Sequence, residues 1–194
     1  LIKKSRIESI GQINGDRILS ISFIRKEQKV TLIFEMFHKG NIILCTDNKI
    51  SAVMRKQKFR HRSLEAGLPY QSPPSINPFI VDYDTFKGKL VSSQRGLGAA
   101  LTIDCNVGGD ISTLICNNLE IGKDVSISDV SVQEIYGELK RILNEVIEPT
   151  IYLDSEGNNF TVSSFDLGMK SNERFSSLDE AIERYISSIV VVKK

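Results

Sequence analysis

The sequence predicts an α+β protein, and three observations carry that prediction. Between Arg6 and Met54, short β-branched and partly alternating runs follow one another with only turn chemistry between them. Residues 55–82 then lose all periodicity. From about Asp84 onward, apolar residues recur at helical spacing, interrupted by "NVGG" and later by a polar hairpin around Ser-Glu-Gly-Asn-Asn.

The first part reads as an antiparallel meander of about five strands, "RIESIGQI", "DRILSISFI", "KVTLIFEMF", "NIILC" and "KISAVM". Asn14-Gly15 is the strongest of its turn signals, because both residues tolerate positive φ. A two-residue loop there predicts Ile13 opposite Asp16, Gln12 opposite Arg17 and Ile10 opposite Leu19. Arg17 would then head a row with Leu19, Ile21 and Phe23 on one side of the pleat. A charged "RKEQ" loop, His38-Lys39-Gly40 and Asp47-Asn48 supply the other turns. "KVTLIFEMF" is too apolar for a free edge, so the sheet is expected to be closed or covered.

"RKQKFRHR" and "SLEAGLPYQSPPSINPF" come next, with Pro69, Pro73, Pro74 and Pro78 opposing helix and central strand alike. This segment is expected to be an ordered extended loop running away from the sheet, with Leu68, Tyr70 and Phe79 as anchors. A short helix through Phe86 and Leu90 follows. "SQRGLGAALTIDC" and "GGDISTLICNNL" read as two helices joined by "NVGG". "SVQEIYGELKRILNEVI" carries Val132, Ile135, Leu139, Ile142, Leu143 and Val146 as one stripe, closed by Pro149. "TIYLDSEGNNFTV" reads as a hairpin, and a last helix starts near Leu178 behind a Ser177 cap with Glu180 three residues on. The domains expected are residues 1–82, 83–148 and 149–194.

Composition narrows the function. With 41% hydrophobic and 25% charged residues the chain has the make-up of a soluble globular protein, and no apolar run approaches the roughly 20 residues of a membrane span. Its first residue is Leu1, which suggests an excerpt of something longer. Cys45, Cys105 and Cys116 are an odd set without C-x-x-C spacing, so structural thiols in a reducing, cytoplasmic setting are expected. With only His38 and His61 beside them, no metal site is assembled and no cofactor is expected. "RGLGAAL" has no preceding strand and is not a dinucleotide fingerprint. No nucleophile–base signature appears, so no enzyme activity is expected.

Charge is distributed unevenly. Residues 1–62 hold 14 Lys and Arg against 5 Asp and Glu, and residues 63–194 hold 11 against 19. The first part is suited to meet a polyanion. Within it, Arg55, Lys56, Lys58, Arg60 and Arg62 surround Phe59, a cluster able to neutralise phosphates while a ring or guanidinium plane stacks on an unpaired base. The turn at Val107, Gly108 and Gly109 presents backbone N–H groups at a helix start, a candidate phosphate-binding hairpin.

Several stretches, in order, resemble the NFACT family, which includes ribosome quality-control factors of the RqcH type and proteins named as fibronectin-binding. They are "RIESIGQINGDRILSISF", "LIFEMFHKGNIILCTDNKISAVMR", "GLPYQSPP", "NVGGDISTLICNNLEIGKD" and "TIYLDSEGNNFTV" with "RFSSLDEAIERYI". The resemblance implies a first domain like the N-terminal fold of formamidopyrimidine-DNA glycosylases, a helix-hairpin-helix-like subdomain, a small C-terminal α/β piece, and a coiled coil beyond Lys194. It implies that Asp16 and Arg17 recognise tRNA, and that the partners are tRNA and the large ribosomal subunit with peptidyl-tRNA. The function implied is promotion of non-templated C-terminal tailing, with the ribosome supplying the chemistry. A fibronectin-like protein ligand, or DNA in a glycosylase-like role, are the alternatives.

Overall fold

The computed structural model describes residues 2–145 and 147–191. The chain forms two compact units, Leu1–Gln94 with Ala99–Val107, and Arg95–Gly98 with Gly108–Lys194. The helices of 83–148 are thus shared between the units.

The first unit is built on a five-stranded antiparallel sheet whose spatial order is its chain order: β1 (Arg6–Gln12), β2 (Ile18–Arg25), β3 (Gln28–Glu35), β4 (Asn41–Thr46) and β5 (Lys49–Val53). The turns are short because their residues accept the left-handed region: Asn14 and Gly15, Lys26, His38 and Gly40, and Asp47 with Asn48 all have positive φ. β3 is flanked on both sides, which satisfies the ladder of its apolar run. Alternation sends Ile18, Ile33, Ile43, Cys45 and Ile50 to one face, where they bury with Leu64 and pack against Ile13, Phe37, Val53 and Tyr70. Each such side chain removed from water contributes about 1.5–3 kcal/mol. The other face carries Leu19, Ile21, Phe23, Leu32, Phe34 and Leu44 half-buried, and β1 is exposed throughout.

Residues 55–82 do not run away from the sheet as expected. Gln57–Lys58 (β6) and Ser63–Leu64 (β7) pair as a second hairpin. Residues 67–70 then lie along the start of β5: Gly67 N donates to Ile50 O at 2.8 Å, Ile50 N to Leu68 O at 2.8 Å and Tyr70 N to Asn48 O at 3.1 Å. The cause is burial of Leu64 and Tyr70, which draws this segment back onto the core. Leu68 and Phe79 remain exposed. α1 (Tyr83–Val91) starts at Asp82, whose carboxylate accepts from Thr85 N at 2.8 Å, and it buries Phe86 and Leu90 as its spacing required.

α2 (Leu97–Ala99) lies where the chain passes between units, and a π-helical turn, Ala100–Asp104, continues it in the first. The second unit has α3 (Gly109–Asn118), a 3₁₀ turn at Ile127–Asp129, and α4 (Val132–Leu143), capped by Ser131 and burying Ile135, Leu139 and Ile142. Val146, the last member of the expected stripe, and the coiled coil expected beyond Lys194 lie outside the described residues. β8 (Thr150–Leu153) and β9 (Asn159–Ser163) form the expected hairpin, but a third strand, β10 (Ser171–Arg174), pairs with β8. "SNER" has neither β-branched nor aromatic residues, so pattern alone did not mark it. α5 (Leu178–Val191) packs on β8 and β9, and its Glu180 N donates to Ser177 Oγ at 3.2 Å as the capping signature required.

Candidate nucleic-acid interface

The Asn14-Gly15 turn is tight, with φ of 54° and 64° and Asp16 N donating to Ile13 O at 3.0 Å. The strands do not resume immediately. Ile13 N bonds Ile18 O at 2.9 Å, and regular pairing begins at Gln12 opposite Leu19, then Ile10 opposite Ile21. The expected register is therefore wrong by two residues, and Asp16 and Arg17 form a protruding step between turn and strand. The step is held by polar groups that strand periodicity does not reveal. Asp16 Oδ1 accepts Arg17 N at 2.7 Å, Gln12 Nε2 donates to Asp16 O at 2.8 Å, and Ile18 N donates to Asp16 O at 2.7 Å. Met36 N donates to Arg17 O at 2.8 Å.

Asp16 thus spends a carboxylate oxygen on the backbone of Arg17, and no ion pair joins the two side chains. The Arg17 side chain is exposed, and its guanidinium has no partner among the described residues. Its fork of five N–H donors is free for a phosphate or carboxylate. The proline-rich segment supports the tip from behind. Asn14 Nδ2 reaches Ser72 Oγ at 3.5 Å, and a Cβ on Gly15 would lie 2.7 Å from Asn77 Oδ1. The positive φ is what favours glycine there; the close approach is to the end of the Asn77 side chain, which can swing aside.

The second hairpin divides its cations. Lys58 and Arg60 are exposed; Lys56 is exposed and paired with Glu65 at 2.9 Å. That hydrogen bond and charge raise the Lys56 pKa and lower that of Glu65. Arg55 is exposed but donates from Nη1 to Lys39 O at 2.9 Å and Gly40 O at 2.7 Å, tying the hairpin's root to the β3–β4 turn. Arg62 departs from the expectation of a phosphate contact. Its side chain is 5% exposed and forks onto Glu35, 1% exposed, through Nη1 to Oε1 and Nη2 to Oε2, the latter at 2.9 Å. Arg62 Nη1 also donates to Gln71 O at 3.0 Å, and its guanidinium stands over the Phe59 ring at 4.8 Å and the Phe37 ring at 6.0 Å. Tyr70 Oη completes the node by donating to Glu35 Oε1 at 2.9 Å. Burial first, then the Glu35 charge, pushes the Tyr70 phenol well above its ordinary pKa. Sequence reasoning passed over Glu35, although a carboxylate inside "LIFEMF" demands a buried partner.

Register places the two hairpins at one end of the sheet. Ile18, just after Arg17, faces Glu35, and Glu35 faces Asn41. Glu35 holds Arg62; Asn41 Oδ1 accepts Arg55 N at 3.0 Å and its Nδ2 donates to Arg55 O at 2.8 Å. Arg17, Lys39, Arg55, Lys56, Lys58 and Arg60 therefore gather at that end; the carboxylates among them are Glu65, paired with Lys56, and the half-exposed Asp16, which spends one oxygen on Arg17 N. Closely spaced exposed cations attract a polyanion and fix it by phosphate contacts.

Of the third candidate, Val107 is buried in the first unit and donates its N–H to Leu101 O at 3.0 Å. Gly108, at φ 88°, and Gly109 are exposed at the start of α3, where no side chain caps the helix. The three thiols are buried; burial, with the nearby Asp104 charge, pushes Cys105 up to about 12, and burial also raises Cys45 and Cys116. Thiolate chemistry is disfavoured in such settings. Among the described residues no group of three His, Cys, Asp or Glu is placed to hold a metal, and no helix is long and apolar enough to cross a membrane.

The protein-family model described as "NFACT N-terminal and middle domains" matches residues 1–189. A relative named "Archaeal Rqc2 homolog aRqcH", from Methanocaldococcus jannaschii, is 27% identical over 212 residues, an alignment covering all of this chain and 31% of the relative. The chain thus spans about a third of that protein's length. The match over nearly every residue, including both hairpins and the proline-rich support, places this chain in the NFACT family.

Proposed function

We propose that this chain is the RNA-binding part of a cytoplasmic ribosome quality-control factor. It binds tRNA and the large ribosomal subunit carrying a stalled nascent chain, and it promotes non-templated C-terminal tailing. The chain contributes recognition and positioning, and peptide-bond chemistry belongs to the ribosome. The similarity to an Rqc2 homologue supports the setting. The single observation that carries the molecular reading is the gathering of Arg17 and the exposed cations of the second hairpin at one sheet end.

In this reading Arg17 forks onto a phosphate or reaches a 2′-OH, while Asp16 holds the protruding step in shape through the Arg17 backbone. Arg55, Lys56, Lys58 and Arg60 supply salt-dependent attraction. Phe59 belongs to the same surface, and Arg62 serves it from below. The resemblance of the first unit to glycosylase N-terminal folds, and of the Val107-Gly108-Gly109 turn to a helix-hairpin-helix, belongs to the same proposal. Glycosylase activity does not, since a shared fold does not carry chemistry with it.

The test is tRNA binding across a salt titration, set against duplex DNA of equal charge. Neutralising Arg55, Lys56, Lys58 and Arg60 together is expected to flatten the salt slope by roughly 0.7–0.9 per lost phosphate contact. Asp16→Ala with Arg17→Ala is expected to remove the preference for tRNA over DNA as well. Binding that is indifferent to salt and to both variants would refute the reading and favour a protein ligand.

A further inference from the structure

The second hairpin presents an aromatic ring that is not a member of the sheet's buried cluster. Phe59 N donates to Arg62 O at 2.8 Å, so the two residues close the hairpin as a pair and their side chains leave on one side. The Arg62 guanidinium lies 4.8 Å from the Phe59 ring centroid, and it is fixed there by Glu35 and Gln71 O. One face of the ring is thereby covered by a cation that cannot leave its buried pair. Phe59 is nevertheless 36% exposed as a residue. Lys58 and Arg60, its neighbours in sequence, are exposed as well.

A flat apolar surface, immobilised from beneath and next in the chain to two exposed cations, suits a nucleobase whose phosphates the same hairpin can reach. Stacking on a ring already held in place loses little side-chain entropy, and it needs the base to be unpaired. We propose that the outer face of Phe59 is a stacking site for one unpaired RNA base, with Lys58 and Arg60 on the flanking phosphates and Arg62 as the positioning residue. The proposal rests on the RNA-binding reading above and adds to it a base contact and a requirement for single-stranded RNA.

The chain contains no tryptophan, so Phe59→Trp installs a single indole at the site. Its emission is expected to be quenched by a ten-nucleotide oligoadenylate and not by an abasic ribose-phosphate oligomer of equal length. Phe59→Ala, shown by urea unfolding to remain folded under the binding conditions, is expected to weaken oligoadenylate binding roughly 5- to 150-fold, without altering the salt slope or the binding of the abasic oligomer. Equal indole responses to both oligomers, or an unaltered affinity in Phe59→Ala, would overturn the stacking site. Binding of tRNA is measured on the same samples. If it stays dependent on Arg17 while Phe59 is silent, the stacking site falls and the broader reading stands; if the wild type binds no RNA, both fall.

Discussion

Arg17 and Arg62 occupy opposite ends of the range open to an arginine, although both belong to hairpins at the same end of one sheet. The first has all its backbone groups engaged and its guanidinium free; the second has its guanidinium held by Glu35 and Gln71 O and packed on two aromatic rings. A cation-rich sequence motif therefore mixes contacts with struts. Losing the strut should cost stability, and losing the free group should cost only binding.

That contrast is broken most severely at Arg62. Arg62→Met leaves the Glu35 carboxylate buried without its counter-charge and is expected to cost about 3–5 kcal/mol in urea unfolding. Adding Glu35→Leu should recover much of the loss, because the isolated charge is the main penalty. Failure of the double variant to recover would mean that packing on Phe59 and Phe37, rather than charge, holds Arg62. Leu64→Ala, which empties a core position on the same hairpin, is expected to cost about 2–5 kcal/mol by the same measurement.

Gly15→Ala addresses the other hairpin. The positive φ alone costs about 1–2 kcal/mol, and the added Cβ displaces the end of the Asn77 side chain. Affinity for tRNA should fall with stability in this variant. Tyr70→Phe sharpens the comparison through pH. Because burial raises the folded phenol's pKa, the unfolded chain ionises first, near pH 10. The Tyr70 contribution is therefore complete below that pH and is lost as pH rises toward the folded value. Urea midpoints of wild type should decline more steeply above about pH 10 than those of Tyr70→Phe. The smallest stability effect belongs to Arg17→Ala, within about 0.5 kcal/mol of wild type, while its tRNA affinity drops about tenfold or more.

How much of this was legible in the sequence depended on the range of the cause. Asn14-Gly15 and Asp47-Asn48 marked their turns because positive φ is a property of those residues themselves. The α4 stripe and the Ser177 cap were equally local. The register after Gly15 was not, since it depends on Gln12 and on the Asp16 carboxylate turning back onto the chain. The inward turn of Arg62 depends on Glu35, 27 residues earlier, and alternation within "MRKQKFRHR" could not reveal it. Even so, a lone carboxylate in the most apolar strand was a legible demand for a cation, and Arg62 is what meets it.

The central claim is that one end of the sheet is the RNA-binding end. Amide chemical-shift perturbation of the full chain on titration with tRNA tests it most directly. The expected result is a joint response at residues 13–18, 36–40 and 55–62, with none at the opposite turns, residues 25–28 and 46–49. A response centred on those opposite turns, or at only one of the two hairpins, would contradict the account.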